Sequence, residues 1–324
     1  MHHVGSASPR IVAELAARHP GPVPSDPDAL ADFFVFDDFP HFIRTYLAVV
    51  DLVRTAEDVR LLTYEVARDM AGQNVRYAEL TVTPYTSITP ELPVPAFLEA
   101  LEDARTAAAR DHGVELRWIF DIPADFGLPA AELTACAALD HEVPGLVGFG
   151  VGGSEVGFPR AMFRDQFDRA RAAGLHSVPH AGETTGPESV WEAVRDLGAE
   201  RVEHGIAAVR DPALLAHLVE HGVVLDVCPT SNVALGVVPS LAEHPLPALV
   251  AAGVRVTVAT DDPPMFGTDL GREYAIAADL LGLDEAGLAD LARSAVDASF
   301  APDATKAALR AEISAYAART TPPA

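Results

Sequence analysis

The chain has 324 residues, of which 49% are hydrophobic, and this supports one large α/β domain spanning residues 1–324 better than two small ones. A formal net charge of −24 argues against a nucleic-acid backbone or an anionic membrane as the main partner. Two cysteines cannot build a disulfide framework or a cysteine-rich metal site. The sequence has no bilayer-length apolar run and no signal-peptide core, so we expect a cytoplasmic protein.

The first predicted element is a helix that begins at Pro9. Ser8 is a capping-type residue, and Pro9 suits the first helical turn. Apolar residues then follow at helical spacing, namely Ile11, Val12, Leu15 and Ala16. Upstream of this helix, His2 allows two interpretations: a flexible terminus without a role, or the tail of a strand whose body would precede Met1.

The next stretch, residues 26–71, has a helical and aromatic pattern. Its aromatic residues include Phe33, Phe34, Phe36, Phe39, Phe42 and Tyr46. A stripe of this kind is more often core than a cofactor site, yet its place before the first full strand also suits a cover over a pocket. We therefore predict a packed helical insertion that resembles a lid.

From residue 75 onward, strands and helices alternate regularly. The predicted strands are residues 75–82, 115–122 and 146–153, followed by four that end at His180, His204, Pro229 and Asp261. The predicted helices are 96–110, 130–138, 160–173, 187–197, 212–221, 246–252, 273–281, 285–299 and 304–318, and we expect 320–324 to be a disordered tail.

Seven strand–helix units in series imply a parallel sheet with right-handed crossovers. Seven is one fewer than a closed (β/α)8 TIM barrel requires, and the missing strand would lie just upstream of His2. We therefore predict a barrel of the metal-dependent hydrolase type with a truncated first strand, closed by C-terminal helices.

Ionisable side chains gather where these strands end: His180, Glu183, His204, Asp261 and Asp262. Because parallel strands present their carboxyl ends at one face of a barrel, we expect these groups to form a metal hydrolase site. Each also has a plainer interpretation. A single histidine at a strand end is more often structural, and Asp-Asp-Pro-Pro is a common turn and helix-start signal.

Other residues receive structural interpretations. Gly152-Gly153 can be a simple turn, and Cys228 suits a small buried side chain. Surface or packing roles are predicted for the remaining histidines considered, which are His19, His41, His112, His141, His176, His217, His221 and His244.

Four runs resemble the motifs of the adenosine deaminase family, a group of zinc-dependent barrels in the amidohydrolase superfamily. They are His180-Ala181-Gly182-Glu183, Glu203-His204-Gly205, Cys228-Pro229-Thr230-Ser231-Asn232 and Thr260-Asp261-Asp262-Pro263. They occur in family order at family-like spacing, so the resemblance covers essentially the whole chain. Any one of these motifs alone would be weak.

The resemblance implies a zinc-dependent hydrolytic deaminase with one Zn²⁺ per chain, which lowers the pKa of bound water to about 7. It implies the following roles: metal ligation by His2, His180 and Asp261; proton donation to the ring by Glu183; removal of the water proton by His204 with Asp261; contact with purine N7 by Asp262; and contact with N3 by the backbone N–H of Gly153.

Two departures from the family pattern modify these expectations. The family's first metal-binding histidine would precede Met1, so the polypeptide as written is expected to bind zinc poorly and to have little activity. Val4 stands where the family has an aspartate for the ribose 5′-hydroxyl. An apolar side chain cannot accept that hydrogen bond, so we predict a nucleoside with a bulkier or less polar 5′ group, such as aminodeoxyfutalosine.

Three function classes remain. The first is deamination of a 6-aminopurine nucleoside, either adenosine or a 5′-modified adenosine. The second is another amidohydrolase-type hydrolase, which often needs a carbamylated lysine, and no predicted strand ends in lysine. The third is a non-catalytic or poorly metallated barrel that binds a nucleoside. The expected partner in each case is a small molecule, with no oligomeric state indicated.

Overall fold

The computed structural model describes residues 1–320, and all of the predicted strands are present within that part of the chain. The strands are β1 (Tyr77–Val82), β2 (Glu115–Pro123), β3 (Leu146–Gly152), β4 (His176–Ser177), β5 (His180–Ala181), β6 (Arg201–His204), β7 (Val224–Val227) and β8 (Arg255–Val258).

These strands are parallel and pair in sequence order, as β1-β2-β3-β4 and as β5-β6-β7-β8. β4 and β5 are the two halves of one predicted strand, separated by Val178 and Pro179. The ladder continues through this break, since the Val178 N–H donates to Phe149 O at 2.9 Å and the Glu203 N–H donates to Pro179 O at 3.0 Å. Proline lacks an N–H, which accounts for the interruption. The two sheets therefore form one curved α/β structure.

The first three residues lie between β1 and the segment that follows β8. Thr81 donates its N–H to Met1 O at 2.9 Å, and the His3 N–H donates to Thr81 O at 2.8 Å. On the opposite side, the His2 N–H donates to Asp261 O at 3.2 Å. Within the described residues, His2 thus forms an isolated parallel bridge with Thr81, at the position predicted for the tail of a truncated first strand.

Helices follow the strands or precede the sheet. They are α1 (Pro9–Arg18), α2 (Pro27–Phe33), α3 (Phe39–Val50), α4 (Ala56–Gly72), α5 (Pro84–Ser87), α6 (Val94–His112), α7 (Gly127–Leu139), α8 (Arg164–Ala172), α9 (Pro187–Asp196), α10 (Pro212–His221), α11 (Pro229–Ala234), α12 (Leu246–Ala251), α13 (Pro263–Phe266), α14 (Leu270–Leu281), α15 (Glu285–Ala298) and α16 (Asp303–Thr320). Short 3₁₀ turns occupy Ala124–Phe126, Arg160–Phe163, Ile206–Arg210 and Leu241–Glu243.

Local capping explains several helix starts, but one predicted cap is wrong. At α4, Thr55 and Asp58 form a reciprocal capping box. At α1, Pro9 occupies the first turn as predicted, yet the Ser8 side chain makes no capping hydrogen bond. Its hydroxyl instead donates to the Asp69 carboxylate at 2.7 Å, which ties α1 to α4.

The predicted helical insertion is present as α2, α3 and α4. These helices pack on the first half of the sheet as part of one large apolar core, while a second core cluster lies around β6, β7 and β8. Among the described helices, none is both long and apolar enough to cross a membrane. The predicted tail of residues 320–324 lies outside the described residues, except that α16 ends at Thr320.

Candidate active site

A cavity of about 290 Å³ opens at the carboxyl ends of the strands, and the predicted site residues meet there. It is lined on one side by the ends of several strands and on the other by α3. The site residues among its walls are His2, Gly153, His180, Glu183, His204, Asp261 and Asp262. The structure therefore brings together every residue that sequence analysis placed in the site.

Two of these residues have left-handed backbone conformations that side chains rarely adopt. His204 has a φ of 63° and Asp261 has a φ of 60°. Each lies just after or at the end of a strand, where the chain leaves the ladder. Strained positions of this kind cluster at functional sites because the surrounding structure must hold them in place.

Nitrogen and oxygen atoms converge on one point beside β5. His2 Nε2 lies 3.2 Å from His180 Nε2 and 3.5 Å from Asp261 Oδ1. Ligands of a tetrahedral zinc ion lie about 3.3 Å apart, given metal–ligand bonds of about 2.0–2.1 Å. Within the described residues, three overlapping groups could each hold a metal ion: His2, His180 and Glu203; His180, His204 and Asp261; and His2, Asp261 and Asp262. Their imidazole and carboxylate donors fit zinc.

The ring of His180 is oriented for metal binding by its other nitrogen. Nδ1 lies 3.2 Å from Val151 O, to which it can donate only in its protonated form. A neutral ring with this hydrogen bond leaves the lone pair on Nε2, which faces the cluster. Such a hydrogen bond to a backbone carbonyl is the usual support of a metal-binding histidine.

Glu203 lies in the same cluster, although sequence analysis gave it no role. Its carboxylate is 2.7 Å from His180 Nε2 and accepts a hydrogen bond from the Thr81 hydroxyl at 3.1 Å. Burial alone would lower the pKa of His180, but the charge and hydrogen bond of Glu203, together with the charges of Asp261 and Asp121, outweigh burial and raise this pKa to about 9. A metal ion must displace that proton to bind His180 Nε2.

Glu183 and Asp262 line the cavity, and each has a buried side-chain oxygen with no hydrogen-bond partner among the described residues. Burial raises the pKa of Glu183 above its ordinary value. Burial also raises the pKa of Asp262, and repulsion by Asp261 adds to this effect. Both carboxyls are thus biased towards the protonated form, which can donate a hydrogen bond or a proton.

Asp261 behaves differently from its neighbour. Burial acts to raise its pKa, but attraction to His204 and His2 outweighs burial, so the pKa of Asp261 is lowered. Ser231 supports the charged form by donating its hydroxyl to Asp261 Oδ2 at 2.6 Å. The pKa values of these adjacent aspartates are therefore shifted in opposite directions because their surroundings differ.

A buried chain of hydrogen bonds holds the ring of His204. The Leu246 N–H donates to His244 Nδ1 at 3.1 Å, so a neutral His244 carries its hydrogen on Nε2. That nitrogen lies 3.2 Å from Asn232 Oδ1, and Asn232 Nδ2 lies 3.2 Å from His204 Nδ1. Because the amide nitrogen is a donor, His204 Nδ1 must accept, and a neutral His204 carries its hydrogen on Nε2.

This chain corrects the prediction that His244 has only a surface or packing role. His244 is buried and contacts the site through Asn232. Burial lowers its pKa to about 4, and the charge of His204 acts in the same direction. The sequence signal was weak, since Asn232 lies in a noted motif but His244 lies in none.

Gly153 lies at the cavity wall with a φ of 80°. A Cβ at this position would lie 2.4 Å from Asp125 Oδ2, so a side chain is excluded by the protein itself. Val4 is buried in the core and is not among the residues that line the cavity. It supplies no polar atom where the family aspartate was expected.

The opposite wall of the cavity is an apolar face of α3. Its members recur at helical spacing and are Phe39, Phe42, Ile43, Tyr46 and Leu47. Phe42 also packs on Phe266, with ring centroids 5.1 Å apart, which fixes α3 against the loop after β8. The aromatic stripe is thus both core and site wall, as its position suggested.

Comparison with known proteins places this site in a family. The model of the family described as adenosine deaminase matches residues 1–316. An aminodeoxyfutalosine deaminase from Streptomyces avermitilis is 61% identical over 98% of this chain and 90% of its own length.

Solved structures agree with this result. An adenine deaminase from Arthrobacter aurescens superposes with a TM-score of 0.88 at 30% identity, covering 98% of this chain and 97% of its own. An amidohydrolase from Burkholderia ambifaria with bound Zn superposes with a TM-score of 0.89 at 25% identity, covering 98% and 89% respectively.

Proposed function

Because the chain belongs to the adenosine deaminase family, we propose that this hydrolytic deaminase acts on aminodeoxyfutalosine, a 6-aminopurine nucleoside with an extended 5′ group. The reaction replaces the 6-amino group by oxygen and releases ammonia. The observation that carries the choice of substrate is the 61% identity to an aminodeoxyfutalosine deaminase across nearly the whole chain.

The cavity walls support a 5′-extended substrate. One wall consists of charged and hydrogen-bonding groups suited to a purine ring and its reacting carbon, while the other is the apolar face of α3. Apolar area buried by a ligand contributes about 25 cal/mol per Å², so this face favours a substrate that carries apolar surface beyond the ribose. Val4 offers no acceptor for a free 5′-hydroxyl.

We propose that His2, His180 and Asp261 would hold one zinc ion per chain, because His2 Nε2 lies 3.2 Å from His180 Nε2 and 3.5 Å from Asp261 Oδ1. When bound, zinc lowers the pKa of water to about 7 and so makes hydroxide available at neutral pH. Their Nε2 and carboxylate oxygen atoms converge, and His180 Nδ1 is held by a backbone carbonyl, which are the features that support this assignment.

His204 and Asp261 together would orient the attacking water and remove its proton. Their facing atoms, His204 Nε2 and Asp261 Oδ2, are 3.9 Å apart. The hydrogen-bond chain through Asn232 leaves the hydrogen of a neutral His204 on Nε2. We therefore propose that His204 orients the water oxygen by donating a hydrogen bond from Nε2, and that Asp261 accepts the water proton. Sequence analysis predicted these two tasks for the pair without dividing them.

Glu183 would donate a proton to the purine ring nitrogen as the amine departs. Its raised pKa favours the protonated carboxyl, and its buried Oε1 has no hydrogen-bond partner among the described residues and lies 3.8 Å from His204 Nε2. Asp262, whose pKa is also raised, would donate a hydrogen bond to N7. The Gly153 N–H would contact N3.

A substrate panel tests this proposal. Zinc-loaded protein is incubated with aminodeoxyfutalosine, adenosine and adenine, and the loss of the 6-amino chromophore is followed by ultraviolet absorbance. We expect kcat/KM to be highest for aminodeoxyfutalosine. Adenosine or adenine turned over much faster would remove the substrate assignment, and no turnover of any of the three would remove the deaminase function.

Glu183→Gln separates chemistry from binding in the same assay. The amide keeps the shape of the acid but cannot deliver a proton, so we expect kcat to fall at least about 100-fold while the 6-oxo product still binds. Unchanged turnover would refute the role of Glu183.

A further inference from the structure

Glu155 is a buried carboxylate that contacts the turn carrying Glu183. It follows β3 and is 7% exposed. Its Oε2 accepts the Gly182 N–H at 2.7 Å, and its Oε1 accepts the N–H groups of Glu183 at 2.9 Å and Thr184 at 2.8 Å. Three successive backbone donors of one turn therefore converge on one side chain.

Three hydroxyl groups complete the surroundings of this carboxylate. Thr184 donates its hydroxyl to Oε1 at 3.3 Å, while Thr185 at 2.7 Å and Ser189 at 2.5 Å donate to Oε2. Burial acts to raise the pKa of Glu155, but attraction to Arg160 and these donors outweigh burial and lower the pKa to about 2. Glu155 thus accepts six hydrogen bonds and donates none. These contacts favour its charged form, the carboxylate.

Arg160 makes a complementary set of contacts and is fully buried. Its Nε donates to His180 O at 2.7 Å, and its Nη2 donates to Gly153 O at 3.2 Å. The two opposite charges thus hold neighbouring parts of the site: Glu155 holds the turn after His180, and Arg160 holds the backbone of His180 and of Gly153.

The turn needs such support because it has left the strand ladder. β5 ends at Ala181 and α9 begins at Pro187, and Gly182 has a φ of 64°. Buried N–H groups between these elements would lack partners without Glu155. The Oε1 atom of Glu183 has no hydrogen bond within the described chain, whereas the Glu183 N–H is held by Glu155.

We propose that Glu155 is a positioning residue for Glu183: its carboxylate fixes the 182–184 turn so that the acid is aimed at the purine ring. This inference rests on the proposed role of Glu183. A misplacement of about 1 Å in a reacting group can cost about 100-fold in rate, whereas ground-state binding depends on contacts spread over the whole cavity. Glu155 should therefore affect kcat more than affinity.

The test is Glu155→Gln in the zinc-loaded protein. An amide replaces one acceptor oxygen by a donor, which opposes the N–H groups of the turn. We expect kcat to fall about 100-fold, while zinc content and the dissociation constant of the 6-oxo product change less than about threefold. A purely structural role would lower product affinity and zinc content along with kcat, and this result would overturn the proposal, as would an unchanged kcat.

Two further variants serve as controls for this experiment. Ser189→Ala removes one hydroxyl donor and leaves all three backbone bonds, so its kcat should stay within about threefold of the parent. Glu155→Asp keeps the charge on a shorter side chain, so its kcat should lie above that of Glu155→Gln and several-fold below that of the parent, at unchanged product affinity.

If Glu155→Gln does not fold, Glu155→Asp decides: a several-fold lower kcat at unchanged product affinity supports the role, and a parental kcat refutes it. Failure of the deaminase function is a separate outcome. In that case the unaltered protein would deaminate no 6-aminopurine substrate, whereas an active parent with an equally active Glu155→Gln refutes the positioning role alone.

Discussion

At the scale of single residues, burial and hydrogen-bond direction decide which site groups carry protons. Asp261 and Asp262 are adjacent in the chain, yet the pKa of the first is lowered by nearby histidines and that of the second is raised by burial. In the same site, the hydrogen-bond chain from the Leu246 N–H through His244 and Asn232 places the hydrogen of a neutral His204 on Nε2. In the proposed mechanism, the chemistry would therefore depend on Asn232 and His244, which are not among the residues that line the cavity.

The variant Asn232→Asp tests this hydrogen-bond direction. An aspartate oxygen in place of the amide nitrogen can only accept, so His204 should move its hydrogen from Nε2 to Nδ1. Nitrogen-15 NMR of histidine-labelled protein distinguishes the two forms. We expect a bare Nδ1 in the parent, a protonated Nδ1 in the variant, and a kcat lower by about 100-fold through loss of the Nε2–H donor.

Asn232→Ser serves as the control because it removes the amide without imposing the opposite direction. The assignment would be overturned by a parent protein whose His204 already carries its hydrogen on Nδ1.

At the scale of elements, α3 determines the shape of the cavity opposite the strand ends. Its apolar residues face the site at helical spacing, and its contact with Phe266 joins it to the helix that follows Asp262. Substrate preference at the 5′ side should thus depend on α3, while reaction chemistry depends on the strand ends. The two properties can be changed separately.

The variant Phe39→Ala tests the contribution of α3 to selectivity. Loss of a phenyl group that lines the cavity should raise KM for aminodeoxyfutalosine about tenfold, equivalent to about 1.4 kcal/mol. KM for adenosine should change much less, because adenosine lacks the 5′ extension. Steady-state kinetics with both substrates give the comparison.

Phe33→Ala is a matched control, since Phe33 lies in α2, is partly buried and is not part of the cavity wall. Equal changes in KM for both substrates, or the same selectivity change in the control, would contradict a 5′ role for α3.

At the scale of the whole molecule, burial of ionisable groups couples stability to pH. His244 has an ordinary pKa of 6.5, and burial, with a further contribution from His204, lowers it to about 4 in the fold. The unfolded chain therefore binds this proton more readily than the folded one. The stability from a neutral His244 is fully present above pH 6.5 and is lost as pH falls towards 4.

The variant His244→Gln should flatten this dependence. Between about pH 7 and pH 4.5, metal-free parent protein should lose about 2 to 3 kcal/mol more in its free energy of unfolding than the variant loses. Urea denaturation of both proteins at the two pH values measures this difference. Contributions from titratable groups that both proteins contain cancel in the comparison. Equal losses in the two proteins would show that the pKa of His244 is not lowered by folding.

Much of this organisation was predictable from local patterns. Strand–helix alternation gave all of the strands, because buried parallel strands are short apolar runs and helices show a different period. The side chains at strand ends could be placed at one mouth for the same topological reason. The absence of a capping bond from Ser8 was not predictable, since its hydroxyl donates to Asp69 on a helix distant in sequence.

By itself, the sequence determined the α/β architecture, the family and the set of groups at the strand ends, because these follow from periodicity and from motifs within short runs. Only the tertiary structure decided which residues support those groups. Glu155 and His244 lie in no motif, and Glu203 lies in one that assigned it no role; each contacts a partner more than ten positions away in the chain. Hydrogen-bond direction and burial are properties of contacts between distant segments, so no local pattern can specify them.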